Sequence, residues 1–138
     1  MTYFYFALIA MIAYSLVAPL VKLGTQEVPV EVAVVITNSF LLLFTIIWAT
    51  IRRENVLNYL SLEVSSIYLY LAGLALGVGI ISYYMALDLG AVSKVVPIFG
   101  LYIALSSVYG FFLLGEEVTG TKILGLALAV VAIVLVSR

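Results

Sequence analysis

Cysteine and histidine are absent from this 138-residue sequence, and charged residues make up only 9% of it. Without cysteine there is no disulfide framework and no thiolate metal ligand, and without histidine there is no imidazole for metal binding or proton transfer. The 6 basic residues are scattered singly or as one pair, so they form no patch for a phosphate backbone. These absences predict that the chain has no catalytic residues, no metal site and no cofactor, and that nucleic acid is not a partner.

Apolar residues dominate the rest of the chain, of which 66% is hydrophobic. A water-exposed domain of this composition would aggregate, so the composition indicates an integral membrane protein. Uncharged runs of about 20 residues are long enough to cross a hydrocarbon core of roughly 30 Å. The sequence therefore predicts one all-α membrane domain over residues 1–138 with five transmembrane helices, at about 3–21, 32–51, 64–87, 95–115 and 119–137.

The first and last spans carry further expectations. The first begins without a basic region or a small-residue cleavage pattern, so we expect a retained helix and not a signal peptide. The last has only 15 uncharged residues, Ile123 to Ser137, so Lys122 must extend its ammonium toward the membrane surface. Thr119, three residues before Lys122, is expected to cap this final helix.

Two prolines lie within apolar spans. Proline cannot donate a backbone hydrogen bond and clashes with the carbonyl four residues back, so Pro19 and Pro97 predict kinked or broken helices. Pro97 follows Lys94 by three positions, which places a cation at the entrance of the fourth span. This lysine is either a candidate for contact with an anionic group of a substrate or a membrane anchor that extends to the headgroups.

Polar residues in the first two spans each allow two interpretations. Ser15, Ala18 and Lys22 fall on one helix face. This face is either a packing groove that ends in a lysine reaching the headgroups, or part of a substrate pathway. Asn38 is costly in hydrocarbon and should face other helices or a wet cavity, where it makes either a structural interhelical hydrogen bond or a ligand contact.

The basic residues that flank the predicted spans are evenly divided between the two sides of the membrane. On the side of the N-terminus lie Arg52, Arg53 and Lys122, and on the other side lie Lys22, Lys94 and Arg138. Because orientation follows the flanking lysines and arginines, this balance predicts a dual topology, in which copies of the chain insert both ways. The alternative is that one or two charges near the helix ends still decide the orientation.

The second half of the chain resembles the EamA repeat of the drug/metabolite transporter superfamily. The matching residues run from Tyr83 to Pro97, continue through the Leu-Leu-Gly-Glu-Glu sequence that ends at Glu117, and include the Leu-Gly-Leu-Ala-Leu-Ala run from Leu124. Full-length members carry this five-helix unit twice, in opposite orientations, around a central cavity. The chain resembles the half-size members, which carry one unit.

The sequence also departs from that family pattern. Half-size relatives often carry an acidic residue and a lysine after the Pro-Ile pair and an arginine early in the second helix, whereas this chain has Phe99, Gly100 and Thr37 at those places. The related small multidrug resistance family has a glutamate in its first helix, and this first helix has no acidic residue. Organic cations are therefore not the expected main substrate.

The resemblance implies a membrane transporter of a small polar or amphipathic metabolite that works by alternating access, and the lysines at the helix ends favour an amino-acid-like or anionic one. The alternative is a non-transporting membrane subunit that packs against a partner protein. An enzyme is not expected, because the 7 acidic residues all lie at span ends or in loops with no paired base or nucleophile. The candidate substrate-binding residues are Lys22, Asn38, Tyr83, Tyr84, Lys94, Tyr102 and Ser106.

A single unit of a fold that otherwise occurs as an inverted pair implies an antiparallel homodimer of ten helices, or a pair with a closely related second chain. Gly125 and Ala132 lie seven positions apart on one face of the last helix, where a partner helix can approach closely. The expected partners are a small-molecule substrate, membrane lipid and the second copy. The expected location is a prokaryotic plasma or inner membrane, which the chain crosses several times.

Overall fold

The computed structural model of the protein describes residues 2–137, with side chains from residue 3 onward. Arg138, which belongs to the charge balance above, lies outside the described residues. Within residues 2–137 the regular structure is entirely helical. The helices are α1 (Thr2–Gly24), α2 (Val30–Ile51), a short 3₁₀ helix (Val56–Tyr59), α3 (Val64–Leu89), α4 (Val92–Gly100), α5 (Tyr102–Leu113) and α6 (Gly120–Val136).

Four of the hydrophobic segments are long and apolar enough to cross a membrane: Tyr3–Gly24, Val30–Ile51, Val64–Leu89 and Val92–Leu113. The fourth of these combines α4 and α5. The fifth, α6, has 17 residues, or about 25 Å of helix, which is shorter than a hydrocarbon core of roughly 30 Å. Residues 2–137 thus form an all-helical fold with five hydrophobic helical segments, as the composition and the uncharged runs predict.

The fourth hydrophobic segment is interrupted after Pro97. The helix begins at Val92, before the expected position 95, and continues through Pro97 to Gly100. At Leu101 the backbone N–H donates to the carbonyl of Ile98, three residues back, at 3.2 Å, and a new helix begins at Tyr102. The interruption therefore lies four residues beyond the proline. Pro19, by contrast, lies inside α1, which is continuous to Gly24.

Few side chains are buried within the protein itself. Among the described residues the buried apolar ones are Ala18, Val21, Tyr84 and Leu87, and Leu87 is 0% exposed. Helices α2 and α6 contain no buried residue. In water this would be incompatible with folding, but lipid tails are as apolar as leucine, so a membrane helix does not need to bury its apolar side chains. The helices are therefore positioned by contacts between a few side chains and by hydrogen bonds.

The chain divides into two compact units, and the boundary within α1 falls next to Pro19. One unit joins Met1–Pro19 to Leu89–Arg138, and the other is Leu20–Asp88. In the first unit α6 packs against α4 and also contacts α5. Gly100 lies at the α4–α6 contact, where a Cβ atom would be 3.8 Å from Cδ1 of Ile133, an ordinary van der Waals distance.

The segment between α2 and α3 folds back onto the start of α3. Ser66 is buried, and its hydroxyl donates to the carbonyl of Tyr59 at 2.9 Å. The hydroxyl of Tyr70 donates to the carbonyl of Ser61 at 3.0 Å. These bonds satisfy backbone carbonyls of a connection that is too short to cross the membrane.

Candidate functional site

Lys22 lies at the end of α1 and holds the C-terminal end of α3. Its Nζ donates to the carbonyl of Leu87 at 2.7 Å and to the carbonyl of Asp88 at 2.9 Å. The last four carbonyls of a helix have no partner within that helix, and they carry the negative end of its dipole. The ammonium therefore satisfies two of these acceptors at the end of α3.

Tyr84 joins α3 to α2 one turn before that helix end. The side chain is only 2% exposed, and its hydroxyl donates to Oγ1 of Thr37 at 2.9 Å. The single hydroxyl hydrogen of Thr37 is in turn shared between the carbonyls of Ala33 at 3.0 Å and Val34 at 3.2 Å. The ring of Tyr83 lies edge-on to that of Tyr84, with centroids 6.5 Å apart. The Leu20–Asp88 unit thus brings three of its four candidate residues to one end of α3.

Asn38, the fourth candidate in this unit, bonds to its own helix. Its Nδ2 donates to the carbonyl of Val34 at 2.8 Å, so this bond is intrahelical and not the interhelical one considered above. Ser39 behaves in the same way, because its hydroxyl donates to the carbonyl of Val35 at 2.7 Å. Such back-bonding gives a polar side chain in hydrocarbon a partner four residues earlier on the same helix.

The other three candidates lie on α4 and α5. Lys94 is exposed in the first turn of α4, where the backbone N–H groups of Lys94 and Val95 both donate to the carbonyl of Ala91. The ring of Tyr102 lies 4.9 Å from that of Phe99, centroid to centroid, across the interruption between the two helices. Ser106 is exposed on α5. A cation, a phenol and a hydroxyl therefore follow one another along this segment.

A second group of polar residues, which was not among the predicted site residues, surrounds the turn from α5 to α6. Gly115 has φ +65°, a conformation that side chains other than glycine rarely adopt. It reverses the chain so that the N–H of Glu116 donates to the carbonyl of Gly110 at 3.2 Å. Thr119 accepts from the N–H of Lys122 at 3.3 Å, which confirms the predicted cap of α6.

Gly125 and Ala132, the predicted packing pair of α6, are both exposed. Apart from the backbone of its own helix and its two chain neighbours, no described atom lies within 4 Å of the position that a Cβ of Gly125 would take. The surface around this glycine is therefore free for another molecule to approach. Among residues 2–137, no group of three acidic side chains could hold a metal ion.

These apolar helices, with lysines at their ends and polar groups bonded along their lengths, define a polytopic α-helical membrane protein. The model of the EamA-like transporter family matches residues 1–138. The chain therefore belongs to the EamA-like transporter family, as the residues from Tyr83 to Glu117 indicated, and one unit of five helical segments is consistent with a half-size member. Neither the comparison with curated proteins nor the comparison with solved structures finds a match.

Family membership gives the general function. Members of this family are membrane transporters of the drug/metabolite transporter superfamily and not enzymes, so the chain is a membrane transporter with a small-molecule substrate and a lipid environment.

Proposed function

We propose that the chain transports a small polar or amphipathic metabolite by alternating access, as an antiparallel homodimer in a prokaryotic plasma or inner membrane. The observation that carries this proposal is the family match over residues 1–138 by a chain with one five-helix unit. Transporters of inverted-repeat design build their pathway between two oppositely oriented units. A second copy, or a closely related chain, supplies the missing unit.

The exposed helices support a second copy as the partner. Helices α2 and α6 bury none of their residues, and Gly125 on α6 has open space around it. Small residues permit close backbone approach, which is a main source of helix association in membranes, where the hydrophobic effect is weak. A partner helix can therefore dock on the face of α6 that carries Gly125 and Ala132.

Introduced cysteines test the antiparallel pair, and the natural chain has none that would interfere. Gln26 and Asn55 are exposed and lie in connections on opposite sides of the membrane if α2 spans it. In the variants Gln26→Cys and Asn55→Cys, a membrane-impermeant thiol reagent should label each position from both sides of intact membranes. Labelling of each position from one side alone, without a partner of opposite orientation, would contradict the homodimer.

Lys94 is the residue that we assign to a carboxylate or other anionic group of the substrate. Lys22 already donates to two helix carbonyls, whereas Lys94 is exposed in the first turn of α4, where the helix dipole is positive. Tyr102 and Ser106, farther along the same segment, offer hydroxyls to the remainder of the molecule. A preference for acidic or amino-acid-like metabolites follows from this arrangement.

The test uses purified protein in liposomes, with a panel of small carboxylates and amino acids as probes. The Lys94→Gln variant should fold normally, because Lys94 is exposed, and it should bind the transported probe less tightly by about 1 to 3 kcal/mol, the contribution of a charged hydrogen bond. Lys94→Arg keeps the charge and should retain more of the binding. If Lys94→Gln transports the same probe as well as the parent, the lysine is an anchor in the headgroups and the assignment is wrong.

A further inference from the structure

A groove of about 340 Å³ lies where α5 ends and α6 begins, and it carries one charge of each sign. Its lining residues are Ser107, Phe111, Glu116, Lys122, Gly125 and Leu126. The carboxylate of Glu116 and the ammonium of Lys122 are both exposed, and the remaining walls are an aromatic ring, an aliphatic side chain and a hydroxyl. The transport function proposed above uses neither of these charges, although the groove shares Gly125 with the face of α6 proposed for the partner helix.

Lys122 is oriented by two contacts that leave most of its hydrogen-bonding capacity available. Its Nζ donates to the carbonyl of Glu117 at 2.7 Å and lies 6.0 Å from the centroid of the Phe111 ring. An ammonium group has three N–H donors, so this carbonyl takes one and two are left for an anion. The bond to Glu117 fixes the position of the cation without neutralising its charge.

Glu116 is oriented by the glycines around it. The left-handed conformation of Gly115 directs the N–H of Glu116 to the carbonyl of Gly110. The carboxylate lies directly over Gly110, because a Cβ on that residue would be 3.0 Å from Oε2. An ionised carboxylate only accepts hydrogen bonds, so its complement in a ligand is a group with N–H donors and a positive charge.

The depth of the groove in the membrane indicates whether such a ligand is a membrane lipid or a soluble molecule. The groove lies between the end of α5 at Leu113 and the start of α6 at Gly120, and both helix ends belong at a membrane boundary. Because α6 provides only about 25 Å of helix, Lys122 in its first turn is held close to the headgroup layer. Phe111 and Leu126 extend the groove toward the hydrocarbon.

We propose that this groove binds the phosphoethanolamine headgroup of a membrane phospholipid. The phosphate diester accepts from the free donors of Lys122, and the primary ammonium, two carbons away, donates to the carboxylate of Glu116. The first carbons of the acyl chains lie against Leu126 and the Phe111 ring. The protein therefore distinguishes among the lipids around it by a pair of opposite charges at the α5–α6 turn.

Native mass spectrometry of the purified protein tests this proposal, with phosphatidylethanolamine, phosphatidylglycerol and phosphatidylcholine of identical acyl chains. Phosphatidylglycerol lacks the ammonium, and the quaternary ammonium of phosphatidylcholine has no N–H to donate. Phosphatidylethanolamine should bind at least about tenfold more tightly than either, the effect of one hydrogen bond between charged groups. Equal binding of the three lipids would overturn the proposal.

Two variants and one matched control locate the effect. Glu116→Gln should abolish the preference for phosphatidylethanolamine, and Lys122→Gln should weaken the binding of all three lipids. Glu117→Gln removes the neighbouring carboxylate, which does not line the groove, and should leave the preference intact. A preference that survives Glu116→Gln, or that is lost equally in Glu117→Gln, would refute the assignment to the groove.

A water-soluble competitor separates a lipid from a free metabolite with the same charges. O-Phosphoethanolamine at equal concentration should displace little bound phosphatidylethanolamine, because it lacks the glycerol and acyl carbons. Displacement by O-phosphoethanolamine as effective as that by the lipid itself would show that the groove takes a soluble zwitterion instead. The experiment measures lipid binding and no transport, so it tests the groove and not the substrate proposed above.

Discussion

The free backbone carbonyls at the C-terminal ends of α3 and α5 find their donors in two different ways, which we call the two closures. At the end of α5, Gly115 adopts a positive φ, and the N–H groups of Leu114 and Glu116 return to the carbonyl of Gly110. At the end of α3, the carbonyls of Leu87 and Asp88 accept from the ammonium of Lys22, which belongs to another helix. One closure is local and neutral, and the other is long-range and charged.

The difference matters because only the second closure joins two helices. A glycine turn satisfies carbonyls of its own helix and ends it, with no effect on any other segment. The lysine satisfies carbonyls of α3 while its stem belongs to α1, so it fixes the distance between the two helix ends. In a protein with so few buried side chains, this single contact should contribute much of the order in its unit.

The largest effect is expected from Lys22→Met. The substitution keeps an unbranched stem but removes two hydrogen bonds from a charged donor, so unfolding should become easier by about 2 to 4 kcal/mol. The measurement is an unfolding titration in detergent, followed by helical circular dichroism and by the fluorescence of the single tryptophan, Trp48.

Lys94→Met is the matched control for that variant. Lys94 also lies at the end of a proline-containing helix, but it is exposed, and surface substitutions usually change stability by less than about 0.5 kcal/mol. If both variants lose the same stability, Lys22 has no special role at the end of α3.

Gly115→Ala tests the local closure and should have a smaller effect. A left-handed conformation costs an ordinary residue about 1 to 2 kcal/mol, and a Cβ on Gly115 would meet no neighbouring atom, so backbone strain is the only penalty. Gly120→Ala, five positions later, is the control: it lies in α6 without a positive φ and should be close to neutral. A loss in Gly120→Ala as large as that in Gly115→Ala would contradict the strain argument.

The membrane class and the family could be predicted from the sequence, but the long-range closure at Lys22 could not. Uncharged runs and their lengths were sufficient for the all-helical membrane class, and the residues from Tyr83 to Glu117 were sufficient for the family. The partners of Lys22 are backbone oxygens 65 and 66 positions away, and backbone atoms leave no pattern in a sequence. The sequence therefore placed the charge of Lys22 at the end of α1, but it did not indicate that this charge binds the end of α3.

For the candidate site residues, too, the hydrogen-bond partners could not be predicted from the sequence. Asn38 was expected to bond to another helix or to a ligand; its Nδ2 donates to the carbonyl of Val34 on its own helix, and a ligand contact of this side chain stays a prediction. Tyr84 found its partner in Thr37, 47 positions away, which is again a tertiary contact. At the α5–α6 turn the charges were visible in the sequence, but the groove between them depends on how α6 packs.

The smallest expected effect concerns the hydroxyl of Tyr84, and it determines whether Lys22 alone holds the end of α3. Tyr84→Phe keeps the buried ring and removes only the donor to Thr37, which retains its own bonds to Ala33 and Val34. Side-chain hydrogen bonds between membrane helices average about 0.6 kcal/mol, so a loss of about 0.5 to 1.5 kcal/mol is expected in the same unfolding titration. Tyr109→Phe is the control: Tyr109 is 58% exposed, so this variant should lose no measurable stability.

Combining Tyr84→Phe with Lys22→Met should give a loss of stability greater than either variant alone, since the two side chains bond to different groups on different helices. If the double variant is no less stable than Lys22→Met, the tyrosine bond forms only when the lysine has already fixed α3, and the end of that helix has a single point of attachment.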